Sequence, residues 1–189
     1  MKRVVAPRFE SSALPGVGLL VTPFHSDRRG SFTKPYAPDA LAAAGIDMGV
    51  AEVYWSSSHP GTVRGLHFQT PPTAVAKIVF AVTGRVTDVV VDLRVGSPTY
   101  GQHARFDLTP GAGSVVVPVG CAHGFEVVGD DDAVLCYLQD VPFDPATDAG
   151  VRWDSAGIAW ETTEPITSDR DAGLPRLEEF ASPFVWDAA

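Results

Sequence analysis

The sequence predicts an all-β protein, a sandwich or barrel flanked by short helices, and three observations carry that prediction. Four short runs rich in Val and Ile fill the middle of the chain: Lys77 to Val82, Val86 to Leu93, Gly113 to Val117 and Ala133 to Leu138. Turn formers punctuate them, with 18 Gly and 16 Pro in 189 residues, as many closely spaced strands require. One segment alone reads as a helix, residues 38–46, with Pro38 early and Gly45 near its end.

Taken in order, the helix is short because proline fixes its first turn and glycine supplies a left-handed exit. Thr83-Gly84, between the first two runs, reads as a hairpin turn. In the second run, period two puts Val86, Asp88, Val90, Asp92 and Arg94 on one face and Thr87, Val89, Val91 and Leu93 on the other. The mixed face is either a solvated exterior or the polar interior of a ligand-holding barrel, and the pattern alone supports both. After Gly150 little regular pattern remains, so the tail is expected to wrap the barrel.

The length suits one buried core and is short for two, so residues 1–189 are expected to form a single domain. With 45% hydrophobic residues the chain is globular, and a formal charge of -9 argues against binding nucleic acid or an anionic membrane. Met1-Lys2-Arg3 is charged but no apolar run follows, and no stretch approaches the length of a membrane span. Cys121 and Cys136 lack metal or redox spacing. A soluble, reduced, cytoplasmic protein is expected.

Chemistry concentrates in four motifs. These are Asp27-Arg28-Arg29-Gly30-Ser31-Phe32; Arg64-Gly65-Leu66-His67-Phe68-Gln69 with Pro71-Pro72 and Lys77; Pro118 to Phe125, which contains His123; and Ser168-Asp169-Arg170-Asp171. With only 14 Lys and Arg in the chain, cations inside these motifs point to a pocket for an anionic small molecule, arginines gripping phosphate. Each motif also has a plain reading. A lone histidine is usually a satisfied structural group, Asp27 to Gly30 suits a charged surface turn, Asp169 to Asp171 a solvated loop, and Tyr137 a barrel-lining aromatic. A metal-bearing cupin has two histidines one residue apart, a carboxylate and a later histidine. Here Gln69 stands two positions after His67, no Asp or Glu lies in 70–76, and only His123 matches. That is short of three protein ligands, so no metal or other cofactor is expected.

In combination the motifs resemble the dTDP-4-dehydrorhamnose 3,5-epimerase family. Its pattern of D-x-R-G-x-F, R-G-L-H-F/Y-Q, P-P, a strand Lys, D-V-x-V-D-x-R-x-G-S-P-T-F/Y-G, P-x-G-x-A-H-G-F, a strand Tyr and S-x-x-D matches in order. It is met by Asp27 to Phe32, Arg64 to Gln69, Pro71-Pro72, Lys77, Asp88 to Gly101, Pro118 to Phe125, Tyr137 and Ser168 to Asp171, over about 24–175. The resemblance implies a jelly-roll (cupin-type) β-barrel, dimerised by strand exchange, that acts on a nucleotide-linked 4-keto-6-deoxyhexose. It implies that His67 is the catalytic base, Asp171 its orienting partner, Lys77 the cation at the enolate oxygen and Tyr137 the acid on the opposite face. By the same resemblance Arg29, Arg64 and Arg170 hold the diphosphate, His123 lines the sugar pocket, and Phe143 lies beside the base. Phe32, Glu52 and Tyr54 complete the substrate-binding set.

These residue types suit the chemistry. A 4-keto group acidifies the hydrogens on C3 and C5, so a near-neutral imidazole can remove one. A fixed ammonium then stabilises charge on the ketone oxygen, and inversion requires a donor on the other face. Asp88 is a candidate partner for Lys77. The chain departs from the family where Q-x-N-x-S is replaced by Glu52-Val53-Tyr54-Trp55-Ser56, where Lys34 replaces Glu, and where Thr73 to Ala76 lack a Gln. This drift in recognition residues points to a specialised relative, a C3-only or C5-only epimerase being one form of it, while the residues leave inversion at C5, at C3 or at both open. Rival readings are a 3,4-ketoisomerase of nucleotide sugars, whose second motif histidine is Gln69 here, and a non-catalytic binding barrel.

Overall fold

The computed structural model describes residues 6–187, so the charged start at Met1-Lys2-Arg3 lies outside the described residues. Among the described residues, thirteen strands follow in chain order. They are β1 (Arg8–Ser11), β2 (Gly18–Val21), β3 (Phe24–Asp27), β4 (Gly30–Thr33), β5 (Glu52–Ser58), β6 (Val63–Gln69), β7 (Lys77–Thr83), β8 (Val86–Asp92), β9 (His103–Leu108), β10 (Ser114–Val117), β11 (Cys121–Val127), β12 (Ala133–Gln139) and β13 (Asp148–Gly150). Two sheets form a jelly-roll barrel, one ordered β1-β2-β10-β7-β12-β5 and the other β13-β6-β11-β8-β9, with β3-β4 as a separate hairpin.

The four predicted strands are β7, β8, β10 and β12. The predicted hairpin at Thr83-Gly84 is overturned, because β7 and β8 belong to different sheets. Both edges of β7 are taken by β10 and β12, and both edges of β8 by β11 and β9, so the link crosses between sheets. Gly84 sits at φ +73 where a Cβ would lie 2.6 Å from the Ala133 Cα, so glycine is required by conformation and by contact.

The expected helix is α1 (Pro38–Ala43), three residues shorter than its pattern. Gly45 at φ +76 reverses the chain, with its N–H on the Ala42 carbonyl and that of Ile46 on the Leu41 carbonyl. Leu41 is buried and packs with Leu20, Met48, Ile78, Val116 and Leu138 on the outer face of the larger sheet.

Strand β8 settles the ambiguity of its mixed face. Val86 and Val90 pack into the barrel interior with Val79, Leu135 and Tyr137. Val89 and Val91 pack outward against Phe68, Ile158 and Phe184. Every residue of β8 is buried, and the solvated-exterior reading fails because the mixed face turns into the barrel while the C-terminal tail covers the apolar face. That tail is laced on by backbone bonds from the Val63 N–H to the Ile166 carbonyl and from the Val95 N–H to the Phe184 carbonyl. Among the described residues, no helix is long and apolar enough to cross a membrane.

Candidate active site

The site lies between the two sheets. A cavity of about 290 Å³ is lined by Glu52, Tyr54, His67, Gln69, Lys77, Gln139, Phe143, Asp148 and Arg170. An adjoining one of about 180 Å³ is lined by Tyr54, Ser56, Arg64, His67, Lys77, His123, Phe125 and Tyr137. Tyr54, His67 and Lys77 face both.

His67 comes from β6, whose neighbour β11 approaches closely where Gly65 meets Gly124. A Cβ on Gly65 would lie 2.7 Å from the Gly124 Cα. The Gly65 N–H donates to Asp171 Oδ2 at 3.1 Å, and His67 Nε2 lies 2.7 Å from Asp171 Oδ1. Asp171 belongs to α2 (Asp169–Ala172), where the Ser168 side chain caps the helix by accepting the Asp171 N–H. A capped turn and two further hydrogen bonds thus hold the carboxylate, which is buried, so the solvated-loop reading fails at Asp171, while Asp169 and Arg170 are exposed. Burial alone would raise its pKa. The hydrogen bond and charge of His67, the Gly65 N–H and the Arg170 charge outweigh it and hold the carboxyl below its usual range. With Asp171 ionised, Nε2 carries the imidazole hydrogen and Nδ1 keeps the lone pair.

Lys77 opens β7 and is buried. Burial pulls its pKa down to about 8; the Asp148 charge opposes that pull, while the Arg170 charge adds to it. The expected Lys77–Asp88 pair is not formed. Asp88 Oδ2 instead lies 2.7 Å from His123 Nε2, because β8 and β11 are neighbours whereas β7 lies in the other sheet. Complete burial pushes the Asp88 carboxyl up, against the opposing effect of His123.

Tyr137 is buried on β12, its hydroxyl 3.2 Å from Ser56 Oγ. Burial raises its pKa well above the ordinary phenol value, with Ser56 and Arg64 opposing and Tyr54 and Asp88 adding. The phenol is therefore neutral and holds its proton. Tyr54 stacks on it, ring centroids 4.7 Å apart at 8°. Arg64 is anchored by Nε on Ser58 Oγ at 2.9 Å. Arg170 reaches Asp148 Oδ2 at 2.6 Å and Asp171 Oδ1 at 3.4 Å. Glu52 Oε2 accepts the Phe143 N–H at 2.9 Å and a Gln139 amide hydrogen at 3.3 Å, so it ties together one wall of the cavity.

Two expected binding residues stand apart. Arg29 and Phe32 lie on the β3–β4 hairpin, where Arg29 is exposed and paired with Asp27 at 2.6 Å and Phe32 is 60% exposed. Within one chain that motif is the charged surface turn of its plain reading. Gln69, the residue that replaces a second motif histidine, is engaged by structure: its amide donates to the Thr73 carbonyl at 2.7 Å and its oxygen accepts the Asp144 N–H at 2.9 Å. Three wall residues escaped the sequence reading. Gln139 and Ser56 were accessible by period two from Tyr137 and Tyr54 on their strands. Asp148 had no sequence signal, since only the fold sets it against Arg170.

A model of the family described as dTDP-4-dehydrorhamnose 3,5-epimerase matches residues 11–179. A dTDP-4-dehydrorhamnose 3,5-epimerase of Sinorhizobium fredii is 36% identical over 94% of this chain and 93% of its own. A dTDP-4-dehydrorhamnose 3-epimerase of Streptomyces niveus is 40% identical over 91% of this chain and 84% of its own. Among solved structures, a 4-keto-6-deoxy sugar epimerase from the novobiocin biosynthetic gene cluster of Streptomyces spheroides superposes with a TM-score of 0.87 at 38% identity, covering 95% of this chain and 92% of that one. Matched along nearly its whole length in sequence and in backbone, the chain belongs to the dTDP-4-dehydrorhamnose 3,5-epimerase family.

Proposed function

We propose that this chain inverts C5, C3 or both of a dTDP-linked 4-keto-6-deoxyhexose in deoxysugar biosynthesis. The observation that carries the reading is one pair of joined cavities lined by an Asp171-bound imidazole, a buried lysine and a buried neutral phenol. His67 Nδ1 takes the proton from the carbon next to the ketone, and Asp171 stabilises the imidazolium that results. Lys77 faces the ketone oxygen and offsets the charge that develops there. Tyr137 then gives its phenolic proton to the opposite face of the enolate. The imidazolium and the tyrosinate return to their starting states by exchange with solvent.

For recognition, Arg64 and Arg170 hold the diphosphate, His123 borders the sugar, and Phe143, 54% exposed at the rim, stacks on the base. In this reading Glu52 and Tyr54 form the wall where the chain departs from the family pattern, favouring a specialised substrate. The protein acts as a cytoplasmic homodimer in which the exposed β3–β4 hairpin carries Arg29 and Phe32 to the neighbouring barrel. Exposure of Phe24 and Phe32 on that hairpin supports this, and the free Cys121 and Cys136 suit a reducing compartment. The ketoisomerase reading calls for a second histidine where Gln69 stands, and a passive binding barrel has no use for a paired base and acid.

The test is incubation with dTDP-4-keto-6-deoxyglucose in D2O, followed by NMR. Deuterium is expected at each carbon that is deprotonated, with inversion at C3, C5 or both. Absence of both exchange and inversion would overturn the proposal. Tyr137→Phe is expected to keep exchange at the carbon it serves, because the base remains and can return a proton to the same face. Inversion there should fall sharply, while any carbon reprotonated by solvent keeps its inversion. Native inversion at every carbon in that variant would assign the acid elsewhere.

A further inference from the structure

We infer that Tyr54 is a positioning residue for the acid, its ring fixing where the Tyr137 hydroxyl delivers its proton. The inference rests on the proposed reading of Tyr137 as the proton donor. Tyr54 and Tyr137 are direct cross-strand partners on β5 and β12, so their side chains rise from the same face of the sheet. Their rings lie flat against one another, 4.7 Å apart at 8°. The His123 ring stands edge-on to Tyr137, 6.0 Å away at 79°. Tyr137 is therefore held between a flat contact and an edge, with Ser56 as the partner of its hydroxyl.

Strand β5 is an edge strand, and a tyrosine there would ordinarily be free to swing. Tyr54 is tethered. Its hydroxyl donates to Gln139 Oε1 at 2.9 Å, and the Gln139 amide donates to Glu52 Oε2, which also accepts the Phe143 N–H. The tether fixes the Tyr54 ring, and the ring fixes Tyr137. The step it serves is one proton transfer. The phenolic O–H breaks as a C–H forms on the enolate carbon, and solvent reprotonates the tyrosinate. A ring that shifts or tilts misaims that transfer without disabling His67, so the enolate recaptures a proton on its original face.

The readout is the ratio of inversion to solvent exchange at the carbon served by Tyr137, followed by NMR in D2O with a dTDP-4-keto-6-deoxyhexose. Tyr54→Leu is expected to lower that ratio about two- to tenfold, the range that aromatic stacking supports. Tyr54→Phe keeps the stacked ring but loses the Gln139 tether, so its ratio should fall between those of Tyr54→Leu and the wild type. In a Tyr137→Phe background, Tyr54→Leu should change the ratio no further. An unchanged ratio in Tyr54→Leu overturns the inference, as does an equal drop in the Tyr137→Phe background. Should Tyr54→Leu lose its near-ultraviolet circular dichroism, Tyr54→His, with a smaller planar ring, carries the test with the same sign. A wild-type protein without exchange sinks the proposed function itself, and a native ratio in Tyr137→Phe sinks the acid assignment. Both leave a pattern distinct from failure at Tyr54 alone.

Discussion

His67→Asn is expected to abolish deuterium incorporation at every sugar carbon that the wild type exchanges, a loss of at least about a thousandfold, within the range that a positioned general base supplies. Asparagine keeps a similar reach and can still donate to Asp171, but its amide cannot accept a proton near neutral pH. The barrel should remain folded, because the His67 side chain is 27% exposed and is no part of the apolar clusters. Near-native thermal melting with no exchange is the expected pair of observations. Asp171→Asn should be slowed severely but less completely, since the imidazole survives and loses only its orienting charge. Its amide would also present N–H groups toward His67 Nε2, favouring the tautomer whose lone pair faces away from the substrate. Exchange at near-native rate in His67→Asn would show that another group is the base.

The fold class was legible because four strands carry apolar runs bounded by turn residues. Two strands that build the site, β6 and β11, were not legible by that route. In β6, Val-Arg-Gly-Leu-His-Phe-Gln is buried along much of its length and interrupted by Gly65, so period two is lost. In β11, Cys-Ala-His-Gly-Phe-Glu-Val is buried throughout for the same reason, one face meeting the barrel interior and the other the tail. Such strands announced themselves as motifs and not as strands. The hairpin at Thr83-Gly84 failed because turn chemistry specifies a reversal but not the sheet that the chain enters next. The Asp88 pairing failed likewise: period two placed Asp88 on the right face, and only the register of β8 against β11 sets it beside His123.

Catalytic motif residues were legible individually, and the geometry adds what sequence cannot carry. Asp171 lies 104 residues from His67 in the chain, yet bonds it because Ser168 caps α2 and the Gly65 N–H donates to the carboxylate. The recognition wall is equally nonlocal. Glu52, Gln139 and Phe143 form one hydrogen-bonded unit across three segments, so a change at Glu52 acts on the rim as well as on any ligand.

Lys77→Met should separate activity from stability in opposite directions. Removing the cation at the ketone oxygen is expected to slow exchange and inversion together by roughly 10²–10³, or about 2.7–4 kcal/mol, the usual cost of losing one preorganised charge-stabilising donor. Both readouts fall together because the enolate precedes both. The same substitution removes a buried ammonium whose pKa is drawn down to about 8 from an ordinary 10.5. Between those values the unfolded chain binds more protons at this site than the native protein does. Native stability should therefore rise with pH across about 8 to 10.5, and below 8 it carries the cost of keeping a buried charge. Lys77→Met removes that cost, so at pH 7 the variant should be more stable by on the order of 3 kcal/mol, with this segment of the pH dependence lost. Wild-type turnover should run the other way, falling above about pH 8 as the ammonium loses its proton while the protein grows more resistant to denaturant. Denaturant titrations and exchange rates at matched pH measure both limbs. Turnover that stays flat through pH 10, or a methionine variant that exchanges at the native rate, would remove Lys77 from the enolate oxygen. A rate that falls only where the protein unfolds would assign the alkaline limb to stability and leave the lysine a structural residue.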